Sequence, residues 1–201
     1  MKFAALILAG GASRRMGRPK ALLPYSGATF ADRLVRVYAS CCDPVILVLG
    51  HQHESIRKGL QSNGLQSNAR IVVNPDPERG QLSSMQCGLQ VMPADIEGFV
   101  FTPVDYPAVR EDTVHLLLNR MHEANAKCAI PRHEGRKGHP VACHASLIAE
   151  FLTLPADGQA RDVVRRHRDE TIYVDVEDPG IVNDVDDPAA YERLLAEVAP
   201  S

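Results

Sequence analysis

The chain repeats one pattern: short apolar runs separated by longer stretches in which apolar residues return every three or four positions. Phe3–Ala9, Val45–Leu49, Arg70–Val73, Gly98–Thr102, Lys127–Ile130 and Ile172–Val174 have strand length and are mostly continuous rather than alternating. That is the pattern of strands covered on both faces. Between them, Thr29–Ser40 carries Phe30, Leu34, Val35 and Tyr38 at helical spacing, and Glu111–His122 repeats this with Val114, Leu117, Leu118 and Met121. Leu82–Val91 and Ala190–Val198 read as two further helices. Strands alternating with helices predict a three-layer α/β/α, Rossmann-like fold with a mainly parallel sheet.

The 201 residues, 45% of them hydrophobic, can bury a sizeable core and are expected to form one domain over 1–201. The polar stretch Gln61–Asn68 reads as a loop, and RHEGRKG at Arg132–Gly138 as an exposed loop or hairpin turn before a strand at His139–Cys143. A net charge of −3 without runs of like sign gives no electrostatic basis for binding nucleic acid or a membrane surface. Five cysteines, Cys41, Cys42, Cys87, Cys128 and Cys143, lack a CxxC pair and predict a reducing, cytoplasmic setting without a structural metal. Cys87 and Cys128 are expected in the core. The Phe3–Ala9 run leads into arginines and lysine rather than a small-residue cleavage site, and no segment approaches a membrane span.

Open α/β sheets bind ligands at the carboxyl ends of their strands. After the first run, Ala9, Gly10 and Gly11 permit a sharp turn and close backbone approach, while Ser13, Arg14, Arg15 and Lys20 add a hydroxyl and positive charge. This chemistry suits a triphosphate. The spacing fits neither a Walker loop nor GxGxxG, so a dinucleotide oxidoreductase has no support here. In VFTPVDYP, Asp105 stands just beyond a strand and before a stiffening proline, placed to hold Mg²⁺ with substrate phosphates. Asp112 is better placed than Asp105 to cap the following helix. In GIVNDVDDP, Asp187 reads as an N-cap with Pro188 at N1. Asp184 and Asp186 either share a cation or repel each other in solvent. Ser83 and Ser84 in GQLSSMQCG stand at a helix start, either as nucleotide contacts or as plain caps, and Asn74 and Pro75 border the same region.

The string LILAGGASRRMGRPK, Leu6–Lys20, resembles the pattern LA(A/G)GxSxRMGxxK of the nucleotidyltransferases that include the molybdenum-cofactor guanylyl- and cytidylyltransferases. The resemblance implies a nucleotidyltransferase fold with Leu8, Ala9, Gly10, Gly11, Ser13 and Arg14 in or beside the nucleotide loop, Arg15 on the phosphates and Lys20 at the α-phosphate. It makes Asp105 the metal aspartate and the Asp184–Asp186 stretch, resembling DIDTPEDL, the second acidic element, with Asp184 preferred over Asp186. By the same resemblance Ser83 and Ser84 lie near the base and His139 in GHPVAC near the acceptor. Gly158, Ala160 and Arg161 in DGQARDVV resemble the G(D/x)xGAR element that follows, where Arg161 either attracts an acidic acceptor or is a solvated helix charge.

The expected reaction is attack by an acceptor phosphate on the α-phosphorus of a nucleoside triphosphate, with Mg²⁺ as cofactor, molybdopterin as acceptor and pyrophosphate leaving. The LAGG spelling leans toward the guanylyl type, whereas GQLSSMQCG and GHPVAC lean toward the cytidylyl type, giving CTP the larger number of agreements. Transient contact with a molybdoenzyme or its chaperone is a further implication. Two other readings stay open: a sugar- or polyol-phosphate nucleotidyltransferase, and a non-catalytic module that inserts finished cofactor.

Overall fold

A computed structural model describes residues 2–62 and 69–198. Its strands are β1 (Phe3–Ala9), β2 (Pro24–Tyr25), β3 (Ala28–Thr29), β4 (Val45–Leu49), β5 (Ala69–Val73), β6 (Gly98–Pro103), β7 (Cys128–His133), β8 (Arg136–Lys137), β9 (Val141–His144) and β10 (Thr171–Asp175). The helices are α1 (Phe30–Ala39), α2 (His53–Ser62), α3 (Gln81–Leu89), α4 (Glu111–Glu123), α5 (Ile148–Leu152), α6 (Ala160–Arg166) and α7 (Pro188–Val198).

The main sheet runs β10-β7-β9-β6-β1-β4-β5, with β8 pairing only with β7. β1 is parallel to both β4 and β6, whereas β9 is antiparallel to β6 and β7. The continuous run FAALILA explains itself here. Phe3, Ala5, Ile7 and Ala9 pack into one core with residues of α1, α2, α4 and α7, while Ala4, Leu6 and Leu8 pack into the other with residues of α3, α5 and α6. Every second residue faces a different helical layer, and both must be apolar.

The RHEGRKG stretch forms the expected hairpin, with Arg132 opposite Lys137 and His133 opposite Arg136, turning at Glu134 and Gly135 with positive φ. The strand expected from His139 begins instead at Val141. The expected loop at 61–68 starts as the last two residues of α2, and the remainder lies outside the described residues. Asp187 does cap α7, accepting from the Ala190 amide at 2.8 Å. Asp112 does not cap α4: Arg110 is the N-cap residue, Asp112 sits in the first turn, and the buried Asp178 accepts from the Arg110 amide at 2.9 Å and from the Thr113 hydroxyl at 2.7 Å. A distant carboxylate thus ties down the start of α4 through its N-cap amide and the Thr113 side chain. No helix among the described residues is long and apolar enough to cross a membrane.

The chain leaves β1 toward β4 and β5 on one side and returns through β6 on the other. This reversal opens a crevice at the carboxyl ends of β1 and β6.

Candidate active site

The loop after β1 is held by close backbone contacts on both flanks. A Cβ on Gly10 would collide with Ser84 Oγ, and one on Gly50 would lie 2.6 Å from the Gly10 carbonyl. Glycine at these positions lets the β1 loop, the β4 loop and α3 close on one another. Beyond it, Ser13 adopts φ 51 and its carbonyl accepts from the Met16 and Gly17 amides. The Ser13 hydroxyl accepts from the Lys20 amide at 3.1 Å, fixing the start of a single 3-10 turn at Lys20–Leu22. Lys20 is thereby aimed back across the crevice.

Its ammonium donates to Asp105 Oδ2 at 3.0 Å and to Asp186 Oδ1 at 2.7 Å, while Arg15 Nη2 donates to Asp186 Oδ2 at 3.1 Å. The segment before α7 reaches this point because the Val185 amide donates to the Asp105 carbonyl at 2.9 Å. A lysine and an arginine therefore face two carboxylates. Burial alone would lower the Lys20 ammonium, but the two aspartates outweigh it and leave the group raised. Burial pushes the Asp105 carboxyl up against the pull of Lys20, whereas the hydrogen bond from Lys20 holds the more open Asp186 down. Asp105 Oδ1 is buried and has no hydrogen-bond partner among the described residues.

A cavity of about 390 Å³ opens over this cluster. Of the residues expected from sequence, Leu8, Ala9, Gly10, Gly11, Ser13, Arg14, Arg15, Lys20, Ser84, Asp105 and Asp186 line it. Asn74, Ser83 and Asp184 line neither this cavity nor the one beside it. Asn74 is 3% exposed, and its amide donates to Ser83 Oγ at 2.8 Å and Ser84 Oγ at 3.0 Å, while its oxygen accepts from the Asp76 amide at 3.0 Å. Ser83 in turn donates to the Gly80 carbonyl at 2.8 Å. Asn74 and Ser83 hold the end of β5 against the first turn of α3, and their polar groups are used up in doing so. Asp184 is the third: it is exposed, and it is Asp186 that the fold brings to Lys20 and Asp105.

A second cavity of about 670 Å³ adjoins the first, with Gly80 and Gln81 at the start of α3 lining both. His139, Gly158, Ala160 and Arg161 line it, as do Phe101 and Tyr106. The His139 ring lies 4.9 Å from that of Tyr106, and burial lowers the imidazole to about 4, so it is neutral. Burial, reinforced by the charge of Asp184, pushes the Tyr106 phenol up to about 12. Asp105 and Tyr106, adjacent in sequence, thus serve different cavities. Tyr106, and His51 in the first cavity, are site residues that sequence reasoning misses; the available signal is their position directly after β6 and β4. Cys128 is buried as expected, but Cys87 is only half-buried, its thiol 3.6 Å from the Asn74 side-chain oxygen.

Among the described residues there is no cluster of three or more metal-binding side chains. The oxygen pair Asp105 and Asp186 nevertheless fits a hard divalent cation, which commonly takes one or two carboxylates and completes its shell with phosphate and water. The buried Asp105 Oδ1, without a partner among the described residues, is the atom that such an ion would satisfy.

The family model of the MobA-like NTP transferase domain matches residues 5–171. The molybdenum cofactor cytidylyltransferase of Escherichia coli (strain K12) is 26% identical over 183 residues, covering 91% of this chain and 90% of that one. The nicotine blue oxidoreductase of Paenarthrobacter nicotinovorans is 32% identical over 201 residues, covering 94% and 95%. Among solved structures, Rv0371c of Mycobacterium tuberculosis H37Rv in complex with manganese is 25% identical, with a TM-score of 0.75 and coverage of 98% and 99%.

Proposed function

Because the chain belongs to the MobA-like NTP transferase domain family of nucleotidyltransferases, we propose that it transfers CMP from CTP to molybdopterin and releases pyrophosphate. The observation that carries this reading is the meeting of Lys20, Asp105 and Asp186 at the mouth of a glycine-loop cavity that opens onto a second one. The first cavity suits a triphosphate: Gly10 and Gly11 let backbone approach it, and Arg15 and Lys20 offer cations to the α-phosphate and the leaving pyrophosphate. The second brings the rings of Phe101, Tyr106 and His139 together with Arg79, Lys137 and Arg161, which suits a planar acceptor carrying a phosphate better than a polyol.

An acceptor phosphate is already an anion near neutral pH, so no general base is required. This agrees with a site whose ionisable groups are paired as cation and carboxylate, and with a histidine kept neutral by burial. Asp105 and Asp186 would hold a divalent cation, for which Mg²⁺ is the proposed ion; when bound, it would offset charge on the transferring phosphate. The manganese in Rv0371c supports a divalent ion in this fold. The remaining work falls to the chain itself: the loop at residues 10–20 orients the triphosphate, and the shared wall at Gly80 and Gln81 sets the two substrates side by side.

The redox activity in the name of the Paenarthrobacter relative finds no GxGxxG loop here. Pyrophosphate release with CTP, GTP, ATP or UTP, each with and without molybdopterin, tests the proposal. Release only with CTP and molybdopterin is expected. Preference for GTP would move the chain to the guanylyl type, and nucleotide binding without release under any acceptor would favour a cofactor-insertion module.

A further inference from the structure

The two carboxylates suited to a metal are already bridged by a cation of the chain's own. Lys20 Nζ lies 3.0 Å from Asp105 Oδ2 and 2.7 Å from Asp186 Oδ1, and its side chain is only 13% exposed. Arg15 closes on the remaining oxygen of Asp186 from outside, with 70% of its side chain exposed. Three of the four carboxylate oxygens are thus occupied, and the fourth, Asp105 Oδ1, is buried without a partner among the described residues. A divalent ion approaching this pair in the free protein would meet that ammonium already between the carboxylates, and like charges at such distances repel strongly where water is scarce.

We propose that Lys20 is a resident cation that keeps Asp105 and Asp186 together in the free protein and yields them to a divalent metal only when a triphosphate draws its ammonium away, so that metal and nucleotide bind as one chelate. The inference rests on the nucleotidyl-transfer reading of the same site and adds an order of binding to it. The local structure favours a side-chain movement alone. Lys20's own amide is fixed by the Ser13 hydroxyl, and its backbone belongs to a short turn packed through the buried Ala21, so the ammonium can swing while the Cα stays. Both cations come from the loop that forms one wall of the cavity, so phosphates entering there compete directly with the carboxylates for Lys20 and Arg15. The exchange conserves charge balance. Two cations leave two carboxylates for a more highly charged anion, and a divalent ion takes their place.

The test uses Mn²⁺ as the metal probe, read by electron paramagnetic resonance and by the enhancement of water-proton relaxation, on the wild type, Lys20→Met, Lys20→Arg and the double variant Lys20→Met with Asp105→Asn. Thermal melting confirms that each is folded, and Lys20→Gln replaces Lys20→Met should the latter not fold. Without nucleotide, Lys20→Met is expected to bind one Mn²⁺ at least about tenfold more tightly than the wild type. Lys20→Arg should stay weak, and the double variant should lose the gained site. In the wild type, relaxation enhancement should require a nucleoside triphosphate, tried in turn as CTP, GTP, ATP and UTP. Equal Mn²⁺ affinity in the wild type and Lys20→Met without nucleotide would overturn the proposal, whether both are tight or both weak. Pyrophosphate is not part of this readout, so a chain that fails to transfer any nucleotide yet gains a Mn²⁺ site on losing Lys20 would sink the transfer reading and leave this one standing.

Discussion

Replacing Asp178 with alanine should destabilise the protein far more than replacing Asp112, although the sequence makes Asp112 look like the cap of α4. Asp178 is 2% exposed and accepts three hydrogen bonds: from the Arg110 amide at 2.9 Å, the Thr113 hydroxyl at 2.7 Å and the Gly180 amide at 2.9 Å. The Arg110 guanidinium stands a further 3.9 Å away. Hydrogen bonds to a charged group contribute about 1.5–3 kcal/mol each, and bonds sharing one acceptor do not add fully, so removing all three should cost about 3–5 kcal/mol. With a urea dependence of about 2 kcal/mol per molar, the unfolding midpoint should fall by roughly 1.5–2.5 M. Asp112 is exposed and interacts mainly with the helix terminus, so its alanine variant should lose no more than about 0.5–1 kcal/mol. Urea unfolding followed by circular dichroism measures both. A loss below about 1 kcal/mol for Asp178→Ala, or equal losses for the two, would show that Asp178 does not anchor the start of α4. Because Asp178 also anchors the Pro179–Ile181 turn that leads to Val185 and Asp186, the variant that remains folded should bind nucleotide and metal more weakly.

Gly10→Ala should destabilise by about 1–3 kcal/mol through its clash with Ser84 Oγ, and Ser84→Ala should recover part of the loss because Ser84 Cβ itself would lie at a tolerable 3.4 Å; urea midpoints of the two single variants and the double variant check this. His167 bonds Glu150 at 2.7 Å and Glu170 at 3.0 Å, and these carboxylates hold its imidazole above the usual histidine value. Its contribution should therefore be full below the unfolded value of about 6.5 and be lost as pH rises through the raised folded value. The stability difference between the wild type and His167→Gln, measured by urea unfolding from pH 5 to pH 9, should shrink with rising pH, and a difference that grows instead would contradict the assignment.

The strands are legible because burial on both faces writes a continuous apolar run, so β1 and β4 begin and end where the pattern does. α2 is not, since among the described side chains of HESIRKGLQS only Ile56 and Leu60 enter the core, too few to write a helical stripe. The reversed direction of β9 has no local signature; it depends on which neighbours flank it. In the site, residues 8–20 are legible from one contiguous string, and Asp105 from its place after a strand. Asn74 and Ser83 look like ligand-binding groups in sequence, yet they satisfy one another across the β5–α3 junction, a partnership that spacing alone does not reveal. The choice between Asp184 and Asp186 likewise turns on a tertiary contact, the bond from the Val185 amide to the Asp105 carbonyl.

The central claim is metal-assisted transfer from a triphosphate at the Lys20–Asp105–Asp186 cluster, and the most direct measurement is pyrophosphate release from CTP and molybdopterin by the wild type and a folded Asp105→Asn variant. Steady release by the wild type in the presence of Mg²⁺ and a loss of at least about a hundredfold in the variant are expected, since Asp105 would organise charge at the reacting phosphate. Release by Asp105→Asn within a few fold of the wild type would contradict it.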